Sequence, residues 1–490
     1  MAATGERRES GAEILIASDT RVSRLPHVVV LGGGPAGCGA AYQLRRTGKA
    51  TVTLLERQDV VGGNAGSFFW GDQWLDYGSH RLHHAVDPEV LRDIQQMLGD
   101  DFRDRVRHGR IRLRGKWLHF PIQTLDLLRR LDKGFAAGML RDLVMRKLRT
   151  PAEGDTFASV LMANLGPTMC NHFYFPYARK LWGHEPELLS GIQARKRVSA
   201  GSFGKLLKRL IKPPGGGNFY YMRRGYGQIS EAYAKAATSL GAELALGWSA
   251  ARIERSQEPG YTWTVIAQRN GHSRRIEADH IWSTIPITLL ARSMAPAPDE
   301  RVLSAASQIS YRQMVLVYLQ LDVDRFTSTD AHYFPESNVR VTRLSEPKNY
   351  FGLSEPRGTT VLCAELPCST NDDLWTMDDQ ELGRYVTADM ARAGLPVARP
   401  PIAVHVRRLK QAYPVYLKGY EVPFGALDDW AASTPNLLVY GRQGLFAHDN
   451  THHALYMAYS ATNCLNGSGS FDHSKWAEYR KIFATHVVED

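Results

Sequence analysis

The sequence predicts an α/β fold: a Rossmann-like dinucleotide-binding domain, discontinuous along the chain, with an inserted α+β substrate domain. Three observations predict it. A strand, a glycine turn, a helix, a second strand and an acid follow one another between His27 and Glu56. Two further apolar strands, Ala278 to Ile285 and Asn436 to Tyr440, end in a proline and in a glycine respectively. The segments between them mix helix and strand patterns and carry nearly all the excess positive charge.

His27-Val28-Val29-Val30-Leu31 is short, β-branched and apolar throughout, the pattern of a strand buried on both faces. Gly32-Gly33-Gly34-Pro35-Ala36-Gly37 follows. Cys38 to Arg45 then reads as a helix with Ala40, Ala41 and Leu44 on one side, and Thr51 to Leu55 reads as a second strand ending in Glu56. Gly32 permits the tight turn, Gly34 lets the backbone approach a pyrophosphate, and Gly37 lets the helix pack closely on the sheet. The helix N-terminus offers free N–H groups to the phosphates. Glu56 can accept hydrogen bonds from a ribose diol and would repel a 2′-phosphate. A glycine-rich turn alone is weak grounds, but here every flanking part sits where the chemistry needs it. The site is read as holding the ADP half of FAD or NAD.

The segment Glu56-Arg57-Gln58-Asp59-Val60-Val61-Gly62-Gly63-Asn64-Ala65 extends the motif. It resembles the flavoprotein superfamily of amine oxidases, protoporphyrinogen oxidases, carotenoid desaturases and UDP-galactopyranose mutases. Gly-Gly-Asn-Ala resembles the mutase branch. The resemblance implies FAD as cofactor, with Arg57, Gly62, Gly63 and Asn64 beside it. Asp76 to His83 resembles the segment placed beside the isoalloxazine ring, which makes His80 the candidate catalytic residue; a hydrogen-bonded structural histidine is the alternative. Gly441, Arg442 and Asn450, before a helix read from Asp449 to Leu465, resemble a second flavin-binding motif. Phe175 to Gly183 with Arg195-Lys196-Arg197, Ser310-Tyr311-Arg312, and Ala412 to Tyr416 resemble substrate-domain blocks of the mutase-like branch. They imply Arg197 and Arg312 bracketing a substrate diphosphate, and Tyr413 lining the pocket with Tyr416 and Tyr420. One departure stands out. Phe446 and His448 occupy places where sugar-nucleotide mutases carry tyrosines, and Phe cannot donate the hydrogen bond of a phenol.

These segments divide the chain. Residues 26–85, 228–290 and 430–470 form the expected FAD-binding domain, and 86–227 and 291–429 the substrate-binding domain. Residues 1–25 and 471–490 are read as tails. Phe157 to Asn164, Leu206 to Ile211 and the basic amphipathic stretch Leu125 to Leu148 read as helices. Tyr311 to Val323, Thr359 to Leu366 and Ala403 to Leu409 read as strands. Lys212 to Gly217 reads as a loop.

With 43% hydrophobic and 22% charged residues, the composition excludes wholesale disorder. The net charge is +10. Between residues 101 and 150, 14 Lys and Arg face 5 Asp and Glu, a difference of +9. Within that stretch Arg110 to Trp117 alternates basic and apolar, which puts the bases on one face and Ile111, Leu113 and Trp117 on the other. A second cluster includes Arg195, Lys196, Arg197, Lys205, Lys208, Arg209 and Lys212. A solvated basic face is the plain reading. An anionic substrate is the sharper one, since the Arg fork matches phosphate oxygens, and peripheral contact with a membrane surface is a third. No recognition motif accompanies the charge, so no nucleic-acid partner is expected.

Five widely spaced cysteines without a CxxC pair point to a reducing cytoplasm and argue against a zinc ribbon. No metal is expected: His448, His452 and His453 are read as capping or lining a loop. Two functions remain open. One is an FAD-dependent oxidoreductase acting on an anionic, phosphorylated or nucleotide-linked small molecule. The alternative is a non-redox, flavin-dependent mutase or isomerase of a nucleotide sugar.

Overall fold

The structure, a computed structural model of the 490-residue chain, describes residues 24–120, 130–146, 154–197 and 217–488. Five parallel strands form one sheet in the order Leu437–Val439, His280–Ser283, His27–Leu31, Thr51–Glu56 and Glu243–Leu246. Val28, Val29 and Val30 are completely buried, as a central parallel strand requires. Helix Pro35–Arg46 packs against helices Gln228–Ser239 and Thr451–Cys464. The chain leaves His27–Leu31 toward one neighbour and returns much later to the other. The crevice at its C-terminal end is therefore a topological switch point, where ligands of such sheets bind.

A second sheet has seven strands in the order Ala403–Val415, Ser310–Leu321, Thr360–Cys368, Arg343–Ser345, Ala331–Tyr333, Gly109–Leu113 and Lys116–Phe120. Strand Ser310–Leu321 is buried on both faces. Val315, Val317 and Leu319 join the core under helix Asp379–Arg392, while Met314, Leu316 and Tyr318 face Leu75 and Cys363. Helices Phe157–Leu165 and Phe175–Trp182 share a further core with Ile111, Leu113 and Tyr333.

Three expectations need correction. Ile111 and Leu113 are buried, but Trp117 pairs with Arg112 across the hairpin. Directly paired residues share a face, so Trp117 lies on the arginine side. The two turn residues Arg114 and Gly115, both at positive φ, reset the alternation before the second strand. The segment expected as a tail, 471–490, holds structure: helix His473–Ala484 buries Trp476 and Phe483 in the core of the parallel sheet, and residues 489–490 lie outside the described residues. Arg112 and Arg114 do not form an open basic face, because they pair with Glu336 and Asp132. Within Leu125 to Leu148 the structure describes helix Lys133–Met145. Residues 206–211, the loop 212–216 and Lys205, Lys208, Arg209 and Lys212 lie outside the described residues. Among those described, no helix is long and apolar enough to cross a membrane.

Candidate active site

The glycines of the first turn divide by what a side chain would meet. A Cβ on Gly37 would stand 1.9 Å from the Gly32 carbonyl oxygen, and one on Gly32, at φ +98°, 2.6 Å from Thr284 Oγ1. These two are fixed by packing. A Cβ on Gly34 would meet nothing within 4 Å. Gly34 lines a cavity of about 1540 Å³ and stands at the N-cap of helix Pro35–Arg46, where no side chain caps the free N–H groups. Glu56, 7% exposed, lines the same cavity and accepts the Gly33 N–H at 2.7 Å and the Gln58 N–H at 2.8 Å. The Gly62 N–H donates to Gly33 O at 2.8 Å, which holds Gly63 against the turn. Gly63, Arg57 and Asn64 all line the cavity, and Asn64 Nδ2 donates to Gln411 O at 2.8 Å. These groups fit a dinucleotide: an open backbone for the pyrophosphate and a fixed carboxylate for a ribose.

Buried hydrogen bonds set the next segment. The Asp76 carboxylate accepts from Ser67 Oγ (2.6 Å), Tyr221 OH (2.5 Å) and the Tyr226 N–H (2.7 Å). Burial outweighs these bonds and pushes its pKa up to about 6. Three residues on, the Ser79 N–H donates to Glu365 Oε1 at 2.7 Å, and Glu365 holds Arg343 in a two-pronged ion pair with both contacts at 2.9 Å. His80 therefore has a fixed backbone. Its ring stacks on Tyr226, with centroids 5.2 Å apart. Burial, then Arg343 and Arg442, push its pKa down to about 3, so the ring is neutral at pH 7. Its Nδ1 is buried without a hydrogen-bond partner, and the residue lines the cavity.

The second motif closes the opposite wall. Gly441 adopts φ +79°, and a Cβ there would stand 3.0 Å from Ala36 Cβ, so the turn lies against the first helix. Arg442 donates to the carbonyls of Asp449 (3.3 Å) and Ala412 (3.1 Å), while its Nε is buried and unpartnered. Asn450 caps helix Thr451–Cys464, whose first turn lines the cavity.

Asp449 alters the reading of the histidines. Its Oδ1 lies 3.4 Å from His453 Nδ1 and 3.3 Å from His486 Nδ1, and the two imidazoles hold the carboxyl well below the usual range. A carboxylate partner that the sequence did not reveal is thus present, and the three ligand atoms lie within 4.8 Å of one another. The charged groups that act here from neighbouring elements, Lys196 on His453 and Arg442 on Asp449, are cationic. They disfavour a metal ion and favour a closely packed knot of one carboxylate and two imidazoles. Lys196 Nζ donates to the carbonyls of Ala484 (2.8 Å) and His486 (2.9 Å), so the knot fastens the end of the chain. His448 is elsewhere, buried between Trp182 and Tyr416 with Nε2 3.2 Å from Gln193 Oε1.

The substrate residues separate. Arg197 and Tyr413 line the cavity, and the guanidinium carbons of Arg197 and Arg442 lie 5.4 and 5.1 Å from the Tyr413 ring centroid. Arg312 does not line it. Its Nη1 donates to Ser369 Oγ at 2.6 Å and its Nη2 to Pro367 O at 3.3 Å, in the space left by the missing side chain of Gly183. The expected pair of arginines around one diphosphate is therefore not assembled. Among the described residues the lining instead holds ten Arg and Lys residues against Glu56, Glu365 and Asp449. Arg343 and Glu365 were missed from the sequence. The available signal was an acid inside the apolar run Val361 to Leu366, since such a charge needs a buried partner.

The family model of the flavin containing amine oxidoreductases matches residues 35–458. The chain belongs to that family. Its cofactor is FAD. Among solved structures, a reduced UDP-galactopyranose mutase superposes with a TM-score of 0.76 at 20% identity, covering 89% of this chain and 93% of that one. Cyclohexylamine oxidase from Brevibacterium oxydans gives 0.64 at 17% identity, covering 93% and 99%. Putrescine oxidase bound to putrescine gives 0.63 at 15% identity, covering 90% and 98%. In sequence, 80 residues are 39% identical to a phytoene dehydrogenase of Streptomyces griseus, and 87 residues are 34% identical to the L-amino acid oxidase Cdc18 of Crotalus durissus cumanensis. These stretches are 16% and 17% of this chain and 15% and 17% of the relatives' lengths.

FAD supplies the electron-accepting or nucleophilic chemistry when bound. The protein's own part is to bind and orient. Gly34 and the first helix would receive the phosphates, Glu56 the ribose, and Arg442 and the Asn450 helix end the remaining negative charge. His80, held neutral, can accept or donate one hydrogen bond at Nδ1 toward the cavity without bringing a charge there.

Proposed function

We propose that the chain is an FAD-dependent oxidoreductase acting on an anionic small molecule, phosphorylated or nucleotide-linked, in the cytoplasm. The observation that carries this reading is one cavity that takes in the dinucleotide turn and whose whole wall, among the described residues, holds ten cations against three carboxylates. That wall suits an anion better than the free amine of an amine oxidase substrate. Gly34, Glu56, Arg57, Gly63, Asn64, Arg442 and Asn450 would serve the cofactor; Gly32, Gly37, Gly62 and Gly441 would shape the turns around it. His80 would face the reacting atoms, and Arg197 and Tyr413 the substrate. Five free, buried cysteines suit a reducing compartment.

The second reading, a flavin-dependent mutase of a nucleotide sugar, draws support from the Gly-Gly-Asn-Ala segment and the placement of Arg197. Against it, Phe446 and His448 pack in the core and neither lines the cavity. The purified protein is expected to be yellow. After anaerobic reduction, candidate anionic substrates are added. Flavin oxidation or reduction in step with product supports redox turnover. Isomerisation with no net electron transfer overturns it in favour of the mutase. A colourless protein unable to take up FAD overturns both.

A further inference from the structure

The cavity has room for a substrate beside the cofactor. Small-molecule sites commonly measure about 300–1,000 Å³, and this one reaches about 1540 Å³. Beyond His80 its chemistry changes. Phe157, Leu165, Met169, Phe173 and Leu181, all from helical segments, line it together with Phe120 from the edge of the second sheet. These residues belong to, or pack against, one core cluster, so they make one continuous wall.

Two arginines lie along this wall. Arg107 stands 4.7 Å from the Phe120 ring centroid and Arg197 5.2 Å from that of Trp182, and all four residues line the cavity. Arg107 donates to Tyr333 OH at 3.1 Å, and its Nε is buried without a hydrogen-bond partner. Among the described residues no carboxylate pairs with Arg107. Arg107, part-buried on the cavity wall, therefore offers donors that an anion in the cavity can take up.

We propose that the substrate is an amphipathic anion. Its apolar body, several carbons long, lies along the Phe157–Leu181 wall, and its anionic group meets Arg107 and Arg197. This rests on the flavoenzyme reading above and narrows its substrate class from any phosphorylated molecule to one with a hydrophobic moiety. A polar nucleotide or sugar phosphate would leave that wall unfilled.

Straight-chain alkyl phosphates from butyl to decyl, below their micelle concentrations, test it by perturbation of the flavin absorbance of the yellow holoprotein. Affinity should tighten roughly two- to fourfold per added methylene, with decyl phosphate well ahead of both inorganic phosphate and decanol. Arg107→Gln and Arg197→Gln should each weaken decyl phosphate about tenfold and leave decanol unchanged. Leu181→Trp, which narrows the wall, should abolish the chain-length dependence. Affinity independent of chain length would overturn the proposal and leave a plain anion site. Chain-length dependence unmoved by either arginine variant would overturn it in favour of an uncharged apolar ligand. Flavin content is measured in every sample: loss of FAD from the unmutated protein would refute the flavoenzyme reading itself, whereas a yellow protein indifferent to alkyl phosphates refutes only this inference.

Discussion

The two sheets meet at one cavity but present different things to it. The parallel sheet offers backbone: a glycine turn, helix N–H groups and the single carboxylate of Glu56. The seven-stranded sheet offers side chains, among them Arg343 locked to Glu365, the arginines at 407 and 408, and Tyr413. A cofactor common to many enzymes can be met by backbone geometry. A particular substrate must be met by side chains, and holding those in a dry interior requires buried ion pairs. The two walls should therefore break differently.

The largest expected effect is on the side-chain wall. Glu365→Ala strands the largely buried Arg343 guanidinium beside the cavity and removes the acceptor of the Ser79 N–H. The loss should be about 3–5 kcal/mol by urea unfolding. A loss below about 1 kcal/mol would show that water already reaches the pair.

Acid should come next, and it tests whether the buried histidines are dry. Burial pushes His80 and His452 down to about 3 and His332 down to about 4. In the unfolded chain each titrates near 6.5. Below that pH the unfolded state binds protons the folded state refuses, so stability falls as pH drops. Asp76, raised to about 6, acts in the opposite sense between about 6 and 3.8, because there the folded state holds the extra proton. These three sites against Asp76 leave a net loss on the order of 4 kcal/mol from pH 7 to pH 5, and His448, also lowered by burial, adds in the same direction. A flat stability profile over that range would mean that the histidines are hydrated.

On the backbone wall, two glycine variants should separate folding from cofactor binding. Gly37→Ala drives its methyl into the Gly32 carbonyl and should cost about 1–3 kcal/mol or more. Gly34→Ala should leave Tm nearly unchanged, because its methyl enters open space, yet weaken FAD retention because that space is where the pyrophosphate would lie. Equal behaviour of the two, in Tm and in flavin content, would erase the distinction drawn between them. The smallest effect belongs to the surface. Arg24→Ala removes a half-exposed ion pair to Asp279 and should cost about 0.2–1 kcal/mol, with no change in flavin content.

The local parts of the dinucleotide unit were legible because each is specified by neighbours in sequence. Val28 to Leu31, the turn to Gly37 and the strand to Glu56 follow one another within thirty residues, and glycine has few other uses at such a density. The long strands at 310–321 and 360–368 were legible for the same reason, through apolar runs. The helix at 473–484 was not, since its two buried aromatics, Trp476 and Phe483, are too few to mark a face before a packing surface is known.

By itself the sequence determined that a βαβ unit binds a dinucleotide, that the chain resembles flavoproteins, and that its positive charge is concentrated outside that unit. Only the tertiary structure decided which charges face the cavity. Arg312 turned away to Ser369 while Arg343, Arg107 and Arg407 turned in, and Asp449 met two histidines from separate elements. The physical reason is range. Backbone turns and apolar periodicity are set by residues a few positions apart, whereas the direction of a buried charge depends on which partner, often hundreds of residues away, can satisfy it.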